Sequence, residues 1–532
     1  MRKPLMAAVW AGAALTLLSL AVPALAQKSG GVLHVYHRDS PASMSILEEA
    51  TISTVMPVMS VFNNLVVFNQ HVPQNSLKSI VPDLASSWAW NGDGTELTFT
   101  LRHGVKWHDG VPFTAADVKC TWDLLQGKGT ARLRVNPRRS WYGNLIEVTT
   151  DGDDKAVFHL KRPQPALLNL LASGFSPVYP CHVPPAQMRQ HPIGTGPFKF
   201  VEFRPNESVK VTRNPDYWKP GLPYLDGIEF TVVTNRATAI LGFIAGQFDM
   251  TFTAEVTPPL MKQIAAQAPQ AICQVVPNNN STNLLINRSK PPFDNADIRR
   301  AVMLTLDRKA FIDILGEGQG DIGGAMLPPP EGLWGLPPDQ LATLPGYGPD
   351  IAKNRAEGQA LMVKAGYGPD KHLPLKVATR NIAVYRDPAV ILIDQLKSIY
   401  IDGELDPIET ANWYPKLARK DYQIGVNITG SAVDDPDQQF FENYACGSER
   451  NYGDYCNKDL DKKFEEQSAI ADPDKRRQIV WEIDKQLQLD AARPIIMHNR
   501  TATCWQPKVK NETLMVNSIF NGWRFEDLWL DR

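Results

Sequence analysis

The side chains with the most chemical potential fall into three groups. The first is an acidic loop, Ser431-Ala432-Val433-Asp434-Asp435-Pro436-Asp437. Ser431, Asp434 and Asp435 in such a loop could anchor a cationic ligand group. The same acids would equally suit a solvated turn before a helix over 438–443, because negative charge is favoured at a helix N-terminus. The second is a pair of arginines, Arg380 and Arg386, ahead of a helix expected to begin near Pro388. A guanidinium there can grip a ligand carboxylate through two parallel hydrogen bonds; the alternative for each is an ordinary surface arginine. The third is the cysteines. Cys446 and Cys456 lie close together in a loop-like Cys-Gly-Ser…Asn-Tyr-Gly-Asp-Tyr-Cys stretch and are expected to bridge. The pairing of Cys120, Cys181, Cys273 and Cys504 is left open.

Other motifs point away from chemistry. Gly318-Gln319-Gly320-Asp321-Ile322-Gly323 spells G-x-G-x-x-G, but it follows a helical run and leads into prolines. A dinucleotide loop needs strand, turn and helix in that order. His34 and His37 sit three apart on an expected strand, so they face opposite sides. There is no C-x-x-C, and the histidines are scattered without ligand spacing. No G-x-S-x-G, H-E-x-x-H or Walker A pattern occurs. No metal and no cofactor are expected. A secreted hydrolase, the alternative from a different class, would need a nucleophile and base that the chain does not display.

The chain has 532 residues, 43% hydrophobic and 21% charged, with a net charge of −2. At roughly 150 residues per unit that length allows three or four folding units. The charge balance argues against a nucleic-acid surface. The N-terminus reads as an export signal over 1–26: Arg2 and Lys3, an apolar stretch over 5–22, then Ala24-Leu25-Ala26 before Gln27. A retained anchor is the competing reading, since about 18 apolar residues can just span a bilayer. No cysteine follows the cleavage site, so a lipid anchor is not expected. The mature protein is expected to be soluble in an oxidising compartment, where disulfides persist.

These groups must be held by a mixed α/β framework. Residues 81–126 read as a hairpin feeding a capped helix. Asn91-Gly92-Asp93-Gly94 supplies the turn; Leu97, Phe99 and Leu101 line one strand face; Thr114-x-x-Asp117 forms a capping box. Further strands are expected at 32–36, 65–68, 156–160, 228–233 and 284–287. Helices are expected at 237–246, 293–306, 307–315 and 352–365. Another begins at Asp472-Pro473, with Ile479, Val480, Ile483 and Leu487 as its buried stripe. Residues 316–350 form a long loop rich in Gly and Pro.

The wording of these segments resembles a family. "P-x-LA-x-SW…LTFTLR-x-GVKWHDG-x-PFTA-x-DV" over 82–118 is similar to the signature of solute-binding proteins that serve peptide- and nickel-type ABC importers. GTGPFKF at 194–200, Asn-Pro-x-Tyr-Trp at 214–218, Gly-x-x-Asp at 246–249, PFDNADIRRAVMLTLDRKAFI at 292–312, ALMVKAGYG at 360–368 and ARPIIMHNR at 492–500 follow in the family's order. The resemblance implies an α/β, two-lobed periplasmic-binding-protein fold of the large three-domain type, with a hinge of two crossing strands. Lobe I would hold 27–72, 195–280 and 505–532, with an extra subdomain at 73–194; lobe II would hold 281–504. The crossings would lie near 284–287 and 495–501. It also implies a monomer that captures a peptide or peptide-like solute in the periplasm and hands it to permease subunits, without chemistry and without nucleic acid. An oligosaccharide, an opine-type conjugate or a metal chelate are alternative cargoes; a sensory or chaperone-like binding protein without a permease is an alternative role. Trp107, Tyr385 and Trp413 become expected wall residues of the cleft. Peptide-binding relatives carry an Asp for the peptide's α-ammonium three residues before the acidic-Pro pair. Here that position is Ala432, which weakens a free peptide as cargo.

Overall fold

The computed structural model describes residues 27–277 and 279–532; the export signal expected over 1–26 lies outside them. Three sheets organise the chain. The first joins Val32–His37, Gly227–Val232, Ser208–Arg213 and Phe198–Arg204 in that spatial order, parallel in its first pair and antiparallel thereafter. The second runs Gly320–Asp321, Ile495–Asn499, Asn280–Ile286, Ile424–Gly430, Leu373–Arg380 and Ile401–Ile408. Its last three strands are mutually parallel, and helix Ala383–Leu396 packs on them. The third is an antiparallel four-stranded sheet, Ala85–Trp90, Glu96–Leu101, Lys155–Leu160 and Leu145–Asp151, crossed by helix Ala115–Gln126.

The local reading of 81–126 matches this third sheet closely. Leu97, Phe99 and Leu101 are all buried. The Thr114 amide donates to Asp117 Oδ2 (3.0 Å), as a capping box requires. Asp117 also receives the Trp107 indole (3.3 Å) and the Cys181 amide (2.9 Å). Buried polar groups need such partners, so Asp117 is a structural hub of this unit.

Two antiparallel ribbons join the halves. Ile272–Val276 pairs with Thr501–Trp505, and directly beyond it Asn280–Ile286 pairs with Ile495–Asn499. The chain therefore crosses once between Val276 and Asn280 and returns at 499–501. The first crossing falls earlier than 284–287. Leu284, Leu285 and Ile286 belong to a strand buried along its whole length between two neighbours, so that apolar run is sheet interior and not a link. Two adjacent crossings leave few contacts to oppose rotation, the ordinary construction of a hinge.

All six cysteines are bridged: Cys120–Cys181, Cys273–Cys504 and Cys446–Cys456. Cys273 and Cys504 are register partners in the hinge ribbon. Cys446–Cys456 closes a loop of sequence separation 10, a closure worth about 2–3 kcal/mol by chain entropy. Replacing both cysteines by serine is expected to lower stability by about that amount, read from denaturant midpoints without reductant. An unchanged midpoint would mean that the loop is held by its hydrogen bonds alone.

Among the described residues no helix is long and apolar enough to cross a membrane.

Candidate solute site

A cavity of about 250 Å³ lies between the first and second sheets. Its position follows from strand direction. In open α/β sheets ligands gather beyond the carboxyl ends of the strands. Arg38 follows strand Val32–His37, Arg380 ends Leu373–Arg380, Gly430 ends Ile424–Gly430, and Arg236 opens the helix after Gly227–Val232. All four line the cavity, with Tyr385, Tyr414 and Arg450 from the second half and Thr51 and Phe520 from the first.

Two ion pairs cross it. Arg380 Nη2 donates to Asp39 Oδ2 at 2.6 Å, and Arg236 Nη2 donates to Asp387 Oδ2 at 2.9 Å. Asp39 also accepts from Thr410 Oγ1 (2.7 Å) and from Ser53 Oγ (2.6 Å). Burial alone would raise the Asp39 carboxyl. The guanidiniums of Arg380 and Arg38 outweigh it and hold the group below the usual carboxylate value. Arg380 is 1% exposed, and its Nη1 donates to the Tyr385 hydroxyl (2.9 Å). Arg38 pairs with Glu255 (3.1 Å), Arg500 with Asp321 (2.7 Å) and Glu331 (3.2 Å), and Arg450 with Glu442. The two halves are thus closed on the cavity.

Of the residues singled out in the sequence, Arg380 and Tyr385 are in the cavity wall and the others are elsewhere. Arg386 is exposed and bonds Asn381 Oδ1 (3.0 Å). The helix begins at Ala383 with Pro388 inside it, so Arg386 rides the outer face while Tyr385 and Pro388 turn inward. Trp413 is fully buried, its indole donating to Asn427 Oδ1 (3.2 Å); the next residue, Tyr414, is the one that meets the cavity. Trp107 belongs to the core of the third sheet's unit, held by Asp117.

The acidic loop is also occupied internally. Asp435 caps helix Pro436–Asn443 by accepting from the Asp437 amide (3.0 Å). Arg476 spans both acids, Nη2 lying 2.7 Å from Asp435 Oδ1 and 2.9 Å from Asp437 Oδ1. Ser431 is buried beside Asn279, to whose carbonyl its amide donates (3.0 Å). Ala432 is fully buried, and its carbonyl accepts from Ser518 Oγ (2.8 Å) and Asn521 Nδ2 (2.7 Å). Asp434 receives the Leu333 amide (3.2 Å) on Oδ2 while its Oδ1 has no partner. None of these five side chains reaches the cavity wall; Gly430 is where the loop touches it.

Burial pushes the Asp434 carboxyl up to about 7. The folded value lies above the unfolded one, so this group costs nothing at low pH and costs stability increasingly as pH rises from about 4 through about 7. Asp434→Asn is therefore expected to stabilise the protein at pH 8 by about 1–2 kcal/mol and by much less at pH 5. Melting curves at the two pH values check this; a variant destabilised equally at both would assign Asp434 a partner it lacks here.

Arg38, Arg236, Arg450 and Tyr414 were not foreseen. The carboxyl-end rule would have found Arg38 and Arg236, since each closely follows an expected strand. Arg450 lies inside the Cys446–Cys456 loop, where nothing local marks it.

Two lobes of α/β structure, hinged by paired strands and closed on a cavity between them, define a two-lobed periplasmic-binding-protein architecture. The model of the bacterial extracellular solute-binding proteins, family 5, matches residues 79–451, and the chain belongs to that family. Its members are binding proteins, not enzymes. The chain is 27% identical over 384 residues to the periplasmic murein peptide-binding protein MppA of Escherichia coli, spanning 66% of this chain and 65% of MppA. It is 24% identical over 505 residues to a probable di/tripeptide-binding protein of Pseudomonas aeruginosa, covering 88% and 89% of the two chains. Among solved structures, the oligopeptide-binding protein AppA of Bacillus subtilis with a nonapeptide superposes with a TM-score of 0.82 at 21% identity, covering 95% of this chain and 100% of AppA. AgaA of A. tumefaciens R10 with agropinic acid gives 0.81 at 20%, covering 94% and 99%. These likenesses establish the fold.

Proposed function

We propose that this chain is the exported capture subunit of an ABC importer. It encloses a peptide or peptide-like solute between its lobes in the periplasm, does no chemistry on it, and delivers it to the permease. The observation that carries the reading is the cavity itself, walled by both lobes and straddled by Arg380–Asp39 and Arg236–Asp387. A ligand touching both lobes favours the closed form by its differential affinity for it. Relatives named for peptide binding support the cargo class.

A second cargo, an opine-type conjugate, is favoured by one feature. Ala432 stands where peptide-binding relatives are expected to carry the ammonium-binding Asp, and the neighbouring Asp435 is taken by Arg476. The test is mass spectrometry of small molecules released on denaturing the protein isolated from its own cell envelope, with scattering before and after solute removal. A stoichiometric solute and an expansion on its removal are expected. A rigid particle that carries no solute would end the reading.

A further inference from the structure

The two halves also enclose a second cavity, of about 280 Å³. It lies between the third sheet's unit and the helices Pro436–Asn443 and Lys458–Ser468. The chain passes between halves at 276–280 and 499–501, so its walls belong to opposite halves. Trp141, Lys161 and Arg162 come from one, Phe441 and Glu465 from the other. Two hydrogen bonds frame it across the interface. Trp141 Nε1 donates to Glu442 Oε2 (2.6 Å), and Gln164 Nε2 donates to Asp437 Oδ2 (2.9 Å). On the basic wall Asn144, 7% exposed, donates through Nδ2 to the Arg162 carbonyl (2.8 Å) and to Gln164 Oε1 (3.1 Å). The backbone that carries Arg162 is thereby fixed.

The charges of this cavity are uncommitted, unlike those of the solute cavity. There every wall guanidinium has its carboxylate: Arg38 with Glu255, Arg236 with Asp387, Arg380 with Asp39, Arg450 with Glu442 and Arg500 with Asp321. Here the side chains of Arg162 and Glu465 make no ion pair and no hydrogen bond among the described residues. Lys161 donates only to the Gly143 carbonyl (2.8 Å). Arg162 is part-buried, and a cation partly withdrawn from water without a counter-charge favours an anion. Glu465 on the facing wall favours a cation for the same Coulombic reason. The two do not reach each other, which leaves a gap for a ligand charged at both ends. Phe441, part-buried and edge-on to Phe464 (6.3 Å between ring centres), adds an apolar face. The volume falls just below the roughly 300–1,000 Å³ of ordinary ligand cavities, which suits an amino acid better than a peptide.

We propose that this cavity is a second binding site, for a free α-amino acid with an apolar side chain. Its carboxylate faces Arg162 and Lys161, its ammonium Glu465, and its side chain Phe441. Because the walls belong to opposite halves, occupancy favours the closed arrangement, an input to closure separate from the solute cavity. The full chain is dialysed free of small molecules and titrated calorimetrically with L-leucine. It is then titrated with 3-methylbutylamine and with N-acetyl-L-leucine, each lacking one of the two charges. Leucine is expected to bind, and each analogue roughly tenfold or more weakly. Arg162→Ala and Glu465→Gln are each expected to weaken leucine by a similar factor at an unchanged melting midpoint. No binding of leucine, or equal binding of either analogue, overturns the proposal. Binding unchanged in both variants also overturns it and moves leucine to the solute cavity. Scattering of the same protein reads closure: a smaller radius of gyration with leucine is expected, and an unchanged radius removes the link to closure.

Discussion

In the Arg476→Ala variant the second lobe is expected to lose about 3–5 kcal/mol of stability, the usual result of removing one partner from a buried ionic cluster. For a lobe of this size that is a fall of roughly 10 °C in melting midpoint. Asp435 and Asp437 are 1% and 0% exposed and share this guanidinium. Their remaining partners are neutral donors: Asn169 to Asp435 (3.2 Å), and Gln164 (2.9 Å), Gln467 (2.7 Å) and Ser468 (2.6 Å) to Asp437. Burial already raises the Asp435 carboxyl, Arg476 opposes this, and Asp437 adds to it. Without Arg476 the two raising influences are opposed only by hydrogen bonds, among them that from the Asp437 amide. A carboxyl whose folded value is raised destabilises the fold as pH climbs past its unfolded value. The deficit of the variant is therefore expected to be larger at pH 8 than at pH 5. Melting followed at both pH values measures it. A loss under 1 kcal/mol, or one independent of pH, would show that the acids are not desolvated together.

This cluster explains a misreading of the acidic loop that the sequence invited. A run of acids before a proline has the same composition whether it faces a ligand or a partner within the chain. The partner here comes from a helix whose apolar stripe, Val480, Ile483 and Leu487, is plain in the sequence. Arg476 sits one turn before Val480 on that same stripe, and a stripe defined by apolar residues alone passes over it. Local elements were legible because their causes are local: the turn after Trp90, the alternation to Leu101, the cap at Thr114. The ordered family motifs then carried the two-lobed fold. The cavity wall was legible only in part, because tertiary structure assembles it from residues between Arg38 and Phe520. Trp413 and Tyr414 show how fine the margin is. One residue along a helix is a turn of about 100°, enough to exchange a core position for a cavity position.

The cross-cleft pairs differ in worth, and the difference yields the second large expectation. Arg236 and Asp387 are 22% and 44% exposed; a half-solvated pair contributes below about 1 kcal/mol. Arg380 and Asp39 are 1% and 8% exposed, and Asp39 is saturated by Ser53 and Thr410 as well. Both partners regain water when the lobes part, since they come from different sheets. Breaking this pair therefore acts on closure and not on folding. Arg380→Met leaves Asp39 desolvated in the closed form alone, at a cost of about 3–4 kcal/mol, or roughly 10²–10³ in the closed fraction and hence in solute affinity. Arg236→Gln is expected to weaken binding by less than about fivefold. Because Arg380 also faces the solute, affinity cannot separate latch from contact, but scattering of the solute-free protein can. A latch predicts a larger radius of gyration for Arg380→Met than for wild type, at an unchanged melting midpoint. An unchanged radius with weaker binding would make Arg380 a solute contact only, and a lowered midpoint would make the pair part of the fold itself.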